Sequence, residues 1–473
     1  MSHFHSTVSR RDFMKGLGIA GVGLGSAALA SPVFHDLDEL AISTSNSTKT
    51  YKEWWVKERD LGDPTTEIDW KIYNSYDPKA HPMPLMSGAG ANGAMSPANA
   101  AARTKRQVDG ILNKWPGGTL RDLALDGATG GNYPSIPFDG GNATTPSQRG
   151  SGVPAWDGTP EDNLVTLRAA AHFYGSPKAG AMQVTEQTKK FFNNTVTWTN
   201  VEKAEQDASG MRIPNKCQWI FAWFTKQNHA MNKLAMRNDP NDPWKNTVFR
   251  QGKAGENMAY SHAPQIQNQV MKFIKGLGYQ AIKPTASSNV QFGVWSGLVE
   301  QGRTAHSCSP EYGLMIRYID YVVTDLPLTP TKPIDSGVRS FCSECMTCAK
   351  VCPSNSLSLE KDTSWDSVDT GNNPGIKTWH MKWKSCAEIG GPFDCVNCQT
   401  NCPFDHDNDK ASIHNLVRTV QGATPIFNSF FANFERNFDY NGQLSPEVHT
   451  DWWYRDLDTW EHDTLLGFGT KGW

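Results

Sequence analysis

The sequence predicts an α+β fold carrying a separate cysteine-rich module near its C-terminal end. Three observations point there: two well-delimited amphipathic helices beginning near residues 160 and 263, a Thr/Ser/Gly-rich stretch over 284–303 that reads as strand and loop, and eight cysteines in a doubled pattern between Cys342 and Cys402. The chain has 473 residues, enough for several packed units. Hydrophobic residues make up 38% and charged residues 20%, the balance of a globular protein. The formal net charge of −3, with no basic cluster, argues against nucleic acid as a partner. Seventeen tryptophans are many for this length. They suit the wall of a pocket for a flat ligand, although filling a large core is the commoner use.

The N-terminus carries an export signal. Ser9-Arg10-Arg11-Asp12-Phe13-Met14-Lys15 is a twin-arginine motif, and residues 16–30 follow as a Gly/Ala-rich apolar stretch too short to span a bilayer. Ala28-Leu29-Ala30 offers a small-x-small cleavage site, so residues 1–30 are expected to be a signal peptide. The route reads a receptor-recognised address and moves folded proteins, which suits a chain that must acquire its prosthetic groups before export. No later segment approaches the roughly 20 apolar residues of a membrane helix, so membrane attachment would have to come from a partner.

Residues 31–155 form an N-terminal region with an aromatic segment at Tyr51–Asp77 and two loop-like stretches rich in Gly, Asn, Ser and Pro. A core region over 156–335 follows. Its first helix starts at Thr159-Pro160-Glu161-Asp162, a capping residue followed by proline and two acids. Leu164, Leu167, Ala171 and Tyr174 give it a buried stripe, and Gly175 stops it. The second helix is expected from about Ala263 to Lys275, with Ile266, Val270, Phe273, Ile274 and Leu277 at helical spacing. Tyr260, Ser261 and His262 would then precede its N-terminus, where the helix dipole favours an anion.

Residues 336–412 hold the cysteines. Cys342-x2-Cys345-x2-Cys348-x3-Cys352-Pro353 is bacterial ferredoxin spacing, in which one loop presents three thiolates to a cube and the cysteine before proline reaches the neighbouring cube. The second set, Cys395-x2-Cys398-x3-Cys402-Pro403, has its first member displaced upstream to Cys386. The crossed rule assigns Cys342, Cys345, Cys348 and Cys402 to one 4Fe–4S cluster, and Cys386, Cys395, Cys398 and Cys352 to the other. Zinc explains neither the Cys-Pro endings nor the doubling, and close Cys-x2-Cys pairs make poor disulfides. Cys217 and Cys308 read as packing residues. An aromatic extension, residues 413–473, closes the chain.

Further segments carry a resemblance: Trp54-Trp55-Val56-Lys57, Pro160-Glu161-Asp162-Asn163 running into Arg168-Ala169-Ala170, and Phe273-Ile274-Lys275-Gly276-Leu277-Gly278-Tyr279. Pro310-Glu311-Tyr312-Gly313, Asp325-Leu326-Pro327-Leu328 and Lys332-Pro333-Ile334-Asp335 follow in order. Together with the leader and the cysteine motifs, the sequence resembles the respiratory corrinoid-dependent reductive dehalogenases over nearly its whole length. The resemblance implies a cobalamin-type corrinoid inside a mixed-sheet core with flanking helices, reduced through the two clusters. It implies removal of halide from an organohalide, a chlorinated ethene or a haloaromatic. It also implies a tyrosine acid at Tyr260 with Arg317 as its basic partner. A small membrane-anchor protein and a quinol-linked donor would supply attachment and electrons at the outer face of the cytoplasmic membrane. A homodimer is left open. No Asp-x-His-x-x-Gly cobalt-ligand motif occurs, so the corrinoid rests on the resemblance alone. The competing readings are an epoxyqueuosine-type corrinoid iron–sulfur reductase, against which the leader and the lack of a basic patch count, and a plain exported electron carrier.

Overall fold

The computed structural model describes residues 55–77, 97–129, 136–235, 250–286, 288–369, 371–387, 395–405, 417, 420–422, 424–437 and 446–456. The twin-arginine motif, Ala28-Leu29-Ala30 and Trp54 lie outside them. The main sheet is formed by strands β1 (Ala179–Gln183), β2 (Trp219–Lys226), β3 (Ala281–Ile282) and β4 (Ile316–Thr324), in the order β1-β2-β4-β3. All three of its pairings are antiparallel. Strand directions mix instead in a separate three-stranded sheet, where Val196–Thr199 runs parallel to Gly210–Pro214.

Strand β2 explains why this sheet sits at the centre. Its sequence, WIFAWFTK, is apolar at almost every position, and the strand is buried on both faces. Because side chains alternate, Ile220, Ala222 and Phe224 enter one core while Phe221 and Trp223 enter the other. Helices α1 (Pro160–Phe173) and α2 (Arg250–Gly276) cover the second face through Leu164, Leu167, Ile266, Val270 and Ile274. The first face is closed by helix α3 (Asn289–Trp295) and an aromatic group in which Phe292 stacks on Tyr321 at 4.1 Å.

Helix α1 forms where its capping residues predict. The Thr159 side chain accepts from the Asp162 amide, and Gly175 takes φ +112° beyond the C-cap. Two expectations are corrected. The stretch over 284–303 contains α3 before a short strand at Glu300–Gln301. Helix α2 begins at Arg250, not near Ala263, and runs 27 residues with Pro264 inside it. Its N-terminal half is rich in Gly and Ala, so it carries little apolar periodicity. What stabilises it is close backbone packing: a Cβ on Gly252 would strike Ala235, and one on Gly255 would strike Asn232. Proline tolerates this interior position at the cost of one rung, because it has no N–H to give the carbonyl four residues back, that of Tyr260.

The cysteine module is pinned to the core by Glu300. This carboxylate, 1% exposed, accepts from the Ser336 amide at 2.8 Å and its hydroxyl at 2.6 Å, and from the Val338 amide at 3.3 Å. It therefore sits at the N-terminus of α4 (Val338–Cys345), where the helix dipole favours negative charge. The helix at Pro446–Trp453 folds back on α2, with His449 hydrogen-bonded to Gln251 at 2.7 Å. Among the described residues no helix is long and apolar enough to cross a membrane. Glu300→Ala would strand buried donors, so a loss of about 2–3 kcal/mol in unfolding free energy is expected. An anaerobic urea titration followed by circular dichroism reads it, and an unchanged midpoint would show that Glu300 is not the anchor.

Candidate functional site

Helix α4 carries Cys342 and Cys345 and stops at Cys345. Met346 then takes φ +56°, and Thr347–Lys350 starts a new helical turn that carries Cys348. This reversal turns the three thiols into one cavity, which Cys402 also lines, with Leu314, Phe341 and Phe404 as apolar walls. Among the described residues no three ligands close on a single metal ion; the four thiols ring a cavity instead. Burial pushes the Cys342 thiol up to about 12, and Cys402 and Cys345 push the same way. Cys348 is likewise raised by burial and by Cys342, Cys345 and Cys402.

The other four cysteines gather separately. Burial pushes Cys395 up to about 12 and Cys386 up to about 11, and Cys352 adds to both. Cys398 is raised by burial and by Cys395, Cys386 and Cys352. The structure thus brings together the two crossed sets that the spacing predicts. Four thiols crowded together and half or fully buried cannot shed their protons together unless metal supplies the compensating charge, so this donor chemistry fits iron–sulfur clusters. Cys217 is a core residue, as expected. Cys308 is not merely packing. It lines the first cavity beside Cys402, and Cys402 and burial raise its thiol well above the ordinary value.

Tyr260 and Arg317 also meet. Arg317, on β4, donates through Nη2 to the Tyr260 hydroxyl, and its guanidinium carbon lies 4.5 Å from the centre of the Tyr260 ring. The same guanidinium pairs with Glu256 at 2.8 Å, and Glu256 pairs with Lys253 at 2.5 Å. Glu256 stands one turn before Tyr260 on the same face of α2. Burial opposes the charge on Arg317, but Glu256 and Tyr260 outweigh it and hold the guanidinium above its ordinary range. A β-bulge between Arg317 and Ile319 puts Tyr318 at φ +71°, and its ring meets that of Tyr260 edge-on at 6.2 Å. His306 lies half-buried nearby, pushed down to about 4 by loss of solvent and then by Arg317.

One expectation about Tyr260 is corrected. It lies ten residues inside α2, where the dipole of the helix terminus no longer acts, so Arg317 alone stabilises negative charge on its oxygen. Glu256, Tyr318 and Cys308 were missed by sequence reasoning. Glu256 carries a signal, its i, i+4 relation to Tyr260, which becomes visible once the helix is extended upstream.

Residues 341–406 match the 4Fe-4S dicluster domain. The chain is 32% identical to a chloroethene reductive dehalogenase of Dehalococcoides mccartyi strain VS, across 96% of this chain and 98% of that one. The chain belongs to the reductive dehalogenase family. A trichloroethene reductive dehalogenase of the same species is 28% identical over 95% of this chain and 97% of that one. The solved structure of the catabolic reductive dehalogenase NpRdhA superposes with a TM-score of 0.57 at 16% identity, covering 84% of this chain and 51% of that one. The chain therefore spans about half of that larger protein, with which it shares the fold.

Reductive dehalogenases are oxidoreductases that carry iron–sulfur clusters and a corrinoid. Among the described residues, the polar groups meeting Tyr260 are a guanidinium and a second phenol, with no imidazole or thiol hydrogen-bonded to them. In this dehalogenase, Cys348→Ser is expected to lower bound iron to about half while much of the other cluster's reduced-state EPR signal survives. Unchanged iron and EPR would overturn the ligand sets.

Proposed function

We propose that this protein is the catalytic subunit of a respiratory reductive dehalogenase acting on a chlorinated ethene. Support for the substrate class comes from relatives named for chloroethene, trichloroethene and tetrachloroethene. The observation that carries the mechanism is the Arg317–Tyr260 contact beside the second cysteine set: Arg317 feels the charge of Cys398, and Lys253 lies close to Cys386 and Cys395. Each turnover breaks one carbon–halogen bond, takes up two electrons and one proton, and releases halide. When bound, the clusters and corrinoid supply the electrons and the reduced cobalt chemistry for that cleavage.

The chain's own residues handle the proton. Tyr260 holds it on the phenolic oxygen, since a phenol stays protonated at neutral pH yet yields its proton to a strongly basic carbon. Arg317 donates to that oxygen before the reaction begins, so the charge that develops there meets a fixed cation. Glu256 holds the guanidinium in place from the other side. The Tyr260 phenolate is then reprotonated from solvent, which closes the balance.

Electrons would arrive from a quinol-linked donor, and a small anchor protein would hold the enzyme at the outer face of the cytoplasmic membrane. The export motif at Arg10 and Arg11 supports that location. Changing both to lysine is expected to trap unprocessed precursor in the cytoplasm, read by fractionation and immunoblot; normal processing would sink the location. Tyr260→Phe keeps the ring but deletes the acid. Chloride release from a chlorinated ethene is expected to fall roughly 100-fold, with iron, cobalt and corrin content unchanged. Near-normal turnover by that fully loaded variant would rule out Tyr260 as the donor, and absence of cobalt from active wild-type protein would rule out the corrinoid.

A further inference from the structure

Arg303 is among the largest fully buried side chains of the described residues, at 2% exposure. A guanidinium removed from water costs several kcal/mol unless hydrogen bonds and a counter-charge replace the solvent. The hydrogen bonds are complete. Nε donates to the Cys342 carbonyl at 2.9 Å, and Nη2 to the same carbonyl at 2.6 Å and to that of Ser343 at 3.3 Å. Nη1 donates to the carbonyls of Ser358 at 2.7 Å and Glu360 at 2.6 Å. The face of the group stacks on Trp379, 4.6 Å from the ring centre.

The counter-charge is weak: the carboxylate of Glu360 acts on Arg303 from an exposed position. Every one of those acceptors is a neutral carbonyl, and among the described residues no carboxylate lies within ion-pair distance of Arg303. Cations that are only partly buried have such a partner: Arg317 has Glu256, Lys178 has Glu311 and Lys283 has Asp320. Yet Arg303 lines the same cavity as Cys342, Cys345, Cys348 and Cys402. A 4Fe–4S cluster with four thiolates is a net anion, and it gains a further negative charge on reduction.

We infer that Arg303 is the built-in counter-cation of the cluster held by Cys342, Cys345, Cys348 and Cys402, and that it sets that cluster's reduction potential. Its positive charge stabilises the reduced state, and its two bonds to the Cys342 carbonyl draw electron density from the peptide of a ligand. Both effects raise the potential. The second cysteine set is served differently: the cations near it, Lys253 and Arg317, both pair with the carboxylate of Glu256. Arg303 is thus a positioning residue, acting through the cluster whose cavity it lines.

The inference rests on the two ligand sets given above, and iron counts keep the two failures apart. Reconstituted full-length wild-type, Arg303→Gln and Arg303→Lys proteins are titrated under EPR, with the relevant signal identified as the one lost in Cys348→Ser. Arg303→Gln is expected to disfavour reduction of that cluster at least tenfold, about 59 mV for a one-electron couple, while the other signal stays within a factor of about three. Arg303→Lys keeps the charge and is expected to stay within a factor of about three of wild type. A Gln variant that holds full iron with both midpoints unmoved overturns the proposal. If the Gln variant loads no iron, Arg303→Lys decides: a wild-type midpoint upholds the charge assignment and a tenfold shift overturns it. Iron unchanged in Cys348→Ser would instead overturn the ligand sets beneath it.

Discussion

Eight thiols drawn into the interior are the constraint from which most of this structure follows. Thiolates are costly away from water, and burial drives every one of these thiols whose shift is resolved, except Cys402, towards its protonated form. Only a positively charged guest can reverse that, so the surrounding chain is arranged for the guest's charge rather than for its own. The guanidinium of Arg303, with no carboxylate at ion-pair distance among the described residues, makes sense as a fitting for the anion that guest and thiolates form together. A protein completed by such guests is best exported already folded, which is the route proposed for the Arg10-Arg11 motif.

The same constraint shapes the reaction site. Helix α2 passes from the second cysteine set, beside Lys253, to the sheet, beside Ile274, and carries Tyr260 between them. Tyr260, the proposed proton donor, and Lys253, which lies beside the second thiol set, therefore share one rigid helix. Arg317 meets Tyr260 because β4 bulges there, and the strain of a non-glycine residue at φ +71° falls on Tyr318, its neighbour. The Pro310-Glu311-Tyr312-Gly313 turn leading into β4 is held from the cysteine module: Asp405 accepts from the Leu314 amide at 2.5 Å, and Gly313 at φ +54° leaves room that a Cβ would fill. Movement of the module would be felt at Arg317 within a few residues.

Much of this was readable in advance, and the reasons are physical. Cysteine spacing is legible because short loops around a cube admit few alternatives. Helix α1 is legible because its ends carry capping chemistry. The first half of α2 is not, since its stability comes from Gly252 and Gly255 meeting Ala235 and Asn232, contacts with no periodic trace. Pro264 compounds the difficulty by imitating a helix start. Residues 284–303 look like strand and loop because their small polar residues mask Phe292 and Trp295, whose burial depends on a distant aromatic group. Arg303 has no local signal at all. Its partners are backbone carbonyls 39 to 57 residues away.

The interleaving of the two thiol sets bears on how the protein is made. Cys352 leaves the ribosome with the first motif but sits with Cys386, Cys395 and Cys398, while Cys342, Cys345 and Cys348 wait for Cys402. Neither set is whole until about 85% of the chain has been translated, a span of roughly 20–80 s at about 5–20 residues per second. Iron delivery is thus timed to the end of synthesis, and a prematurely terminated chain cannot present four thiols to either cluster. Quality control of the transcript is in this way written into the order of the ligands.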